Sequence, residues 1–463
     1  MRSFLNIKKK KLPDLIFFTF LIFVFGFALF IRIWKLTETP SVINGDEQGS
    51  LVHPWQIILG QLKPFDLTHD GSIPAIVYYP KALFVVLLGI ENSLLAARLV
   101  SVIFSMGALI LFYLILLKEF SRWTSAVATL FFASSYWLLN FSRLSWISVD
   151  GLFWGLFFYF LQQKALLSGQ LRYYALSGFV ASLVAANYMG TRIYLLAGIF
   201  LLITQVFKKK KKALYNFLIF ILVFVLSSLP LINSVIKSKE KFLLRANTLS
   251  VFNISSDYYG IRPADFSKIL SHQVIYTFRG FALFDGRVSG EGFENKRLIP
   301  LGKSAVSPAI IILYYVGLAL AIKRKRSSFW LFILVINFLL VQVLSVYIPA
   351  WARGIGVLPS IYYFVACGLE EILVIVKKKG LTFFVFGLLV LFIVIPYGDF
   401  QTYWQWVKSE EFVQFQEPAV KMIEYEDWQK LQWRWMSGAR HPFTHYQWQD
   451  KSFREYLEDQ QSF

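Results

Sequence analysis

The residues best suited to chemistry lie in Thr39-Pro-Ser-Val-Ile-Asn-Gly-Asp-Glu-Gln-Gly-Ser50, where two acids, Asp46 and Glu47, stand side by side after the first long apolar run. A carboxylate held there can take a proton from an acceptor hydroxyl. Further charged residues sit at the ends of later apolar runs. Arg98 opens one. Arg143 and Asp150 flank the turn in Phe141-Ser-Arg-Leu-Ser-Trp-Ile-Ser-Val-Asp150. Arg192 lies in Asn187-Tyr-Met-Gly-Thr-Arg-Ile-Tyr194, and Arg353 in Pro349-Ala-Trp-Ala-Arg-Gly354. Ionisable groups at such positions are costly unless they are hydrated, paired or functional. Arginine is suited to phosphate, which its planar fork meets with two hydrogen bonds. A carboxylate base beside several arginines fits transfer of a group from a phosphate carrier: the base deprotonates the acceptor, and the arginines stabilise the charge on the leaving phosphate.

The elements that must position these residues are membrane helices. The chain of 463 residues is 56% hydrophobic and 18% aromatic, and the apolar residues come in runs of membrane length. The expected fold class is therefore an all-α polytopic membrane protein embedded in a lipid bilayer. Candidate spans lie near 15–34, 94–117, 124–140, 149–167, 173–188, 190–207, 214–232, 306–322, 329–348, 355–376 and 381–397, about eleven in all. The net charge of +19 does not indicate a nucleic-acid partner, because many Lys and Arg form short blocks between apolar runs. That is the positive-inside pattern of cytoplasmic loops. A single cysteine, Cys367, excludes an intramolecular disulfide and a Cys-based metal cluster. No Walker A pattern is present.

The run 73–90 decides the topology. Read as a helix in the interface, it leaves Lys8–Lys11, Lys118/Arg122, Lys164/Arg172, Lys208–Lys212, Lys323–Arg326 and Lys377–Lys379 all on the N-terminal side. Read as a span, it flips every later block to the other side. The charge rule favours the interfacial helix, as do Pro74, Pro80 and Lys81 within the run. The N-terminus is then cytoplasmic and the C-terminus extracytoplasmic. The outer face holds a first loop at 35–93, a long loop at 233–305 and a tail at 398–463. The body at 1–397 is one transmembrane unit. The tail has eleven acids against seven Lys and Arg and is rich in Trp and Tyr. It reads as a small appendage resting on the membrane surface or the outer loops.

Four features together carry a resemblance: the Pro40-x-x-x-x-Gly-Asp-Glu47 loop, Arg98-Leu-Val-Ser101, Ser142-Arg143 followed by Asp150, and Arg353 with Pro359. Over roughly residues 10–395 the chain resembles the GT-C glycosyltransferases. Its nearest likeness is to bacterial relatives of dolichyl-phosphate-mannose–protein mannosyltransferases and of lipid A aminoarabinose transferases. The resemblance implies a polyprenyl-phosphate sugar donor, a hydroxyl acceptor on protein, lipid or glycan, and inversion at the transferred sugar. It implies a bacterial plasma (inner) membrane and a juxtamembrane helix at 73–90. It places Asp46 in the position of the catalytic acid residue, with Glu47 orienting it or binding a metal or substrate. Two features depart from the pattern. Ile73 stands where the aminoarabinose branch has a basic residue, so the sugar does not carry over. The Trp-Trp-Asp signature of oligosaccharyltransferases is absent.

Arg143, Arg192 and Arg353 are the expected donor-phosphate ligands. Asp150, Lys81 and Asp285 are further candidates for substrate contact. Arg98 reads as a structural partner for an acid. No cofactor is required. His53, Asp66, His69 and Asp70 leave a divalent metal open, though their spacing is not diagnostic. Two other classes stay open: a transporter or flippase of a lipid-linked or anionic substrate, and a non-catalytic relative. A transporter places its polar groups near the midplane, often in repeated halves. Here they gather at span ends on one face, and no repeat is visible.

Overall fold

The computed structural model describes residues 2–68, 73–253, 266–287, 298–300, 302–324, 328–346, 348–378, 382–416, 419–421 and 429. His69, Asp70 and the tail tryptophans Trp428, Trp433, Trp435 and Trp448 lie outside the described residues.

The chain is a helical membrane protein. Helix α1 (Arg2–Ile33) leads through β1 (Val42–Asn44) into α2 (Gly45–Ile58). A 3-10 turn at Ala75–Tyr78 then continues into α3 (Tyr79–Leu88). The next helices are α4 (Ser93–Leu116), α5 (Arg122–Ser134), α6 (Tyr136–Arg143), α7 (Ser148–Ser168), α8 (Leu171–Ala186) and α9 (Ile193–Lys237). After α10 (Lys239–Leu249) and α11 (Phe266–Thr277) come α12 (Pro308–Lys323), α13 (Ser328–Ile336), α14 (Leu358–Lys378), α15 (Thr382–Trp406) and α16 (Glu410–Phe415). β2 (Ala419–Lys421) closes the described chain and pairs antiparallel with β1, Ile43 opposite Val420.

All eleven apolar runs are helical, but eleven separate spans do not follow. Among the described residues, five helical stretches are long and apolar enough to cross a membrane: Asp14–Ile33, Ile90–Leu116, Met189–Lys208, Lys211–Lys237 and Trp351–Ile375. Two bent pairs raise the number to seven: Tyr136–Arg143 with Ser148–Ser168, bent by 112°, and Pro308–Lys323 with Ser328–Val343, bent by 120°. The reason is length. A 16-residue helix such as α8 rises about 24 Å, short of a hydrocarbon core of about 30 Å. The run expected at 124–140 is broken at Ser135 into α5 and α6.

The run 73–90 forms an apolar helix, Ala75–Leu88, that is shorter than the helices long enough to span. One side, with Lys81, Ala82 and Val85, is buried, while Leu83, Val86 and Leu87 are more than half exposed. Exposed large apolar side chains recur on the long helices too, at Ile22, Phe207, Ile236 and Ile312. In water such a surface would aggregate; in lipid it is solvated.

Elsewhere the helices approach closely through small residues, as membrane helices do. Gly317 of α12 lies against the backbone of Phe364, and Gly368 of α14 against that of Leu313. The first half of α9 packs on α7, Gly155 against the Tyr194 ring and Gly198 against the Phe158 ring, and the second half packs on α8, where Gly178 meets the backbone of Phe220 and Phe224.

Candidate functional site

The loop that carries Asp46 and Glu47 is positioned from its N-terminal end. Asn44 caps α2, its Oδ1 accepting from the Glu47 amide at 2.9 Å. Asn is a favoured cap because its side chain satisfies one of the helix's orphan N–H groups. The same side chain donates from Nδ2 to Gln416 Oε1 at 3.1 Å, which joins the loop to the tail. The two acids that follow have opposite environments. Glu47 is completely buried, whereas Asp46 is half-buried at the start of the helix.

Glu47 is fully engaged. Arg98 donates to it twice, Nε to Oε1 at 2.8 Å and Nη2 to Oε2 at 3.0 Å. The Ser145 amide donates to Oε1 at 3.0 Å. Arg98 is also buried and spends its remaining nitrogen on the Leu36 carbonyl at 2.7 Å. The expectation that Arg98 pairs with an acid agrees with this geometry, and that acid is Glu47.

Ser145 lies in the break between α6 and α7. Non-helical backbone at membrane depth needs its polar groups satisfied from within the protein. Here the amide goes to Glu47, and the carbonyl accepts from Lys81 Nζ. Lys81 also donates to Ser50 Oγ at 3.2 Å and lies 3.9 Å from Asp150 Oδ2. Burial pulls the Lys81 ammonium below the usual lysine range, against the opposing pull of Asp150 and Glu47. The result is a buried, neutral cluster of two acids and two bases drawn from α2, α3, α4 and α7. It fixes the backbone that carries Asp46.

Asp150, in the first turn of α7, faces a groove of about 520 Å³ between α3, α4, α7 and α8. Its apolar walls include Val77, Leu83, Phe104, Trp154 and Leu183. Asp150 is 1% exposed, and neither carboxylate oxygen has a hydrogen-bond partner among the described residues. Its one charged neighbour is Lys81.

The arginines take different places. Arg143, buried, donates to the carbonyls of Ile31, Arg32, Trp34 and Thr39 at 2.7–3.0 Å, with Lys35 at 3.3 Å. The guanidinium thus caps the C-terminal end of α1 and lies over the Trp404 ring at 5.5 Å. A cation there also suits the negative end of the helix dipole. These bonds occupy both terminal nitrogens, so Arg143 braces α1 instead of facing an open phosphate site. Arg192 donates to the Asn187 carbonyl at 3.2 Å and lies over Phe242. Arg353, buried, donates to the Val346 carbonyl. Their two segments touch, because Gly190 packs against the Arg353 backbone. Gly151 in turn packs against Asn187 and Thr191, which joins this region to the start of α7.

Asp285 is held apart from the acid loop by its own clamp. Arg279 reaches it at 3.0 Å and Arg287 at 3.0 Å, with the Arg287 amide adding a third contact. Chiefly through the Arg287 side chain, its carboxyl is pulled down to about 2. His53 lies tilted against the Tyr78 ring, centroids 4.7 Å apart, and its Nδ1 is 3.0 Å from Gln56 Oε1. No three metal-ligating side chains gather among the described residues.

Sequence reasoning missed three participants. Ser145 acts through its backbone, which carries no residue-type signal. Arg32, buried in α1, donates to Ser105 Oγ at 2.8 Å and to the Ala28 and Ala133 carbonyls. A charged residue near the end of an apolar span was the available signal. The third is the tail: β2 pairs with β1, and Tyr403 and Trp404 pack beside Arg143. The tail thus rests on the first loop, one of the two places expected for it, and its particular partners are what the sequence did not show.

In comparisons with known proteins, no family model matches the sequence. No curated protein matches it either.

Proposed function

We propose that the protein is an integral-membrane glycosyltransferase of the GT-C type that moves one sugar from a polyprenyl phosphate to a hydroxyl acceptor on the extracytoplasmic face. The observation that carries this reading is the division of labour between adjacent acids. Glu47 is buried and saturated by Arg98 and Ser145, while Asp46 is half-buried on the backbone that Glu47 anchors. A base needs a fixed position; Glu47 anchors the loop, and Asp46 is partly exposed beside it with its Oδ2 enclosed by the fold.

Asp46 takes the proton of the acceptor hydroxyl. The acceptor oxygen attacks the anomeric carbon, the bond from that carbon to the phosphate oxygen breaks, and polyprenyl phosphate leaves with the electron pair. A single displacement inverts the centre. The groove beside Asp150 accommodates the isoprenoid chain, and α3 forms one of its walls. Arg192 and Arg353 are the cations proposed to offset the phosphate charge, with Lys81 held in the buried cluster and Arg143 left to brace α1. The likeness to GT-C enzymes supports the donor class. No step requires a cofactor.

The test is transfer in lipid nanodiscs with radiolabelled polyprenyl-phosphate sugars, membrane extract as a mixed acceptor source, and parallel samples with EDTA. Wild type should consume one donor. Asp46→Asn should lose at least about two orders of magnitude in rate, the usual contribution of a general base, while still binding donor. Equal consumption by both proteins would remove Asp46 as the base. No consumption of any donor would favour a flippase, which a lipid-flipping assay then reads.

A further inference from the structure

A second cavity, of about 610 Å³, opens where the end of the long outer loop meets α12 and α15. It shares no lining residue with the groove beside Asp150. Its size is typical of small-molecule sites, but its chemistry differs from that of the groove. Four hydroxyls line it, from Tyr136, Ser304, Ser307 and Thr402, together with the Asp399 carboxylate and the Lys303 ammonium. Asp399 is 6% exposed and Tyr136 4% exposed, so both are set into the wall. Ser307 lies beside Asp399, and Ser304 beside Tyr136. Phe284 adds an aromatic face. Gly398 leaves open space where a Cβ would stand.

We infer that this cavity binds a neutral hexose unit of the acceptor, an inference that rests on the proposed transfer for its role in turnover. Hydroxyl side chains both donate and accept, a carboxylate accepts from two sugar hydroxyls, and an ammonium donates. Together they match a ligand whose every edge carries a hydroxyl. One acid and one base give the lining no net charge, which suits a neutral sugar better than a phosphate. An aromatic face suits the apolar side of a pyranose. The position also fits. Asp399 and Tyr403 are one turn apart on α15, and Tyr403 lies beside Arg143 and close enough to feel Glu47. The same helix therefore joins the cavity to the base-bearing loop. The donor lipid's groove lies elsewhere, so this cavity falls to the other substrate.

The experiment uses the full chain in nanodiscs and ligand-observed NMR with a panel of methyl hexosides, beside Asp399→Asn and Gly398→Leu. Gly398→Leu fills the cavity from a position with room for a side chain, and thermal unfolding reports whether each variant is folded. Wild type should give saturation transfer with at least one hexoside. Asp399→Asn should weaken it about tenfold, as expected when a hydrogen bond to a charged group is lost, and Gly398→Leu should abolish it. If Gly398→Leu does not fold, Asp399→Asn alone decides. Equal signals in wild type and folded variants, or no signal with any hexoside, would overturn the inference. Donor consumption by wild type against Asp46→Asn tests the transfer reading separately. Hexoside binding that depends on Asp399, without any donor consumption, would sink transfer and leave the sugar site standing. Tighter competition by the donor's own sugar phosphate than by hexosides would assign the cavity to the donor and refute the acceptor role.

Discussion

Removing the Glu47 carboxylate or the Arg98 guanidinium tests whether the buried pair braces the acid loop. At a separation of about 4 Å and an effective dielectric of about 20, the Coulomb attraction is about 4 kcal/mol. Desolvation of two fully buried ions offsets much of that, so the net worth of the pair against an apolar substitute is small. Breaking it from one side is different, because the other charge stays buried without its partner, at about 3–5 kcal/mol. Glu47→Gln keeps an acceptor for the Ser145 amide but strands Arg98. Arg98→Met strands Glu47. Each single variant should lose about 3–5 kcal/mol. The double variant retains the Ser145 bond and has no stranded charge, so it should lose only about 1–2 kcal/mol, the scale of a neutral hydrogen bond. The cycle therefore predicts strong non-additivity. Reversible unfolding by SDS in mixed micelles reads all four proteins, with the cluster members Lys81 and Asp150 left intact. Single variants that each cost under about 1 kcal/mol, and whose effects add in the double variant, would refute the brace. Asp46→Asn belongs in the same series. It should cost under about 1 kcal/mol, the value of a charge at a helix start, so that its loss of transfer is not a loss of fold.

Three further outcomes follow from particular contacts. Asn44→Ala removes the cap of α2 and the link to Gln416; it should cost about 1 kcal/mol and speed hydrogen exchange at the Ile43 and Glu47 amides, whereas Gln416→Ala should speed exchange at Ile43 alone. Burial lowers the Lys81 ammonium below its unfolded value of 10.5. The unfolded chain then binds more protons between the two values, so stability rises with pH through the alkaline range up to about that limit. Unfolding measured against pH should show this slope in wild type and lose it in Lys81→Met. Asp285 behaves oppositely, because its carboxyl is held at about 2 against an ordinary 3.8. Its contribution is complete above 3.8 and fades as pH falls through 2. Asp285→Asn should flatten acid unfolding across that window and leave neutral pH stability lower than wild type, as read by thermal unfolding.

Much of the molecule was legible in the chain itself. Runs of apolar residues are local patterns, so helices and a membrane setting follow from composition and spacing alone. The short, proline-bearing run with Lys81 could be separated from the spans for the same reason. The acid loop was visible as two adjacent carboxylates after the first span, and Arg98 as a charge that needed an acid. The preference for Asp46 over Glu47 came from the resemblance, and residue type and spacing gave no physical reason for it. They are neighbours of the same charge, and only the arrival of Arg98 from 51 residues away saturates Glu47 and leaves Asp46 outside that pair. Span number was overestimated, because hydropathy reads runs and does not see that α8 is short or that Ser135 breaks a helix. Arg143 looked like a phosphate ligand, since burial against five carbonyls of the first span's end leaves no trace in residue type. The tail was expected on the membrane surface or the outer loops, but its partners there could not be read, because the pairing of Ile43 with Val420 and the bond of Asn44 to Gln416 across 372 residues are long-range events. Local propensity fixed which segments are helices and that they lie in lipid. Tertiary packing alone decided which charges meet, since partners distant in sequence are chosen by the cost of leaving a buried charge without one.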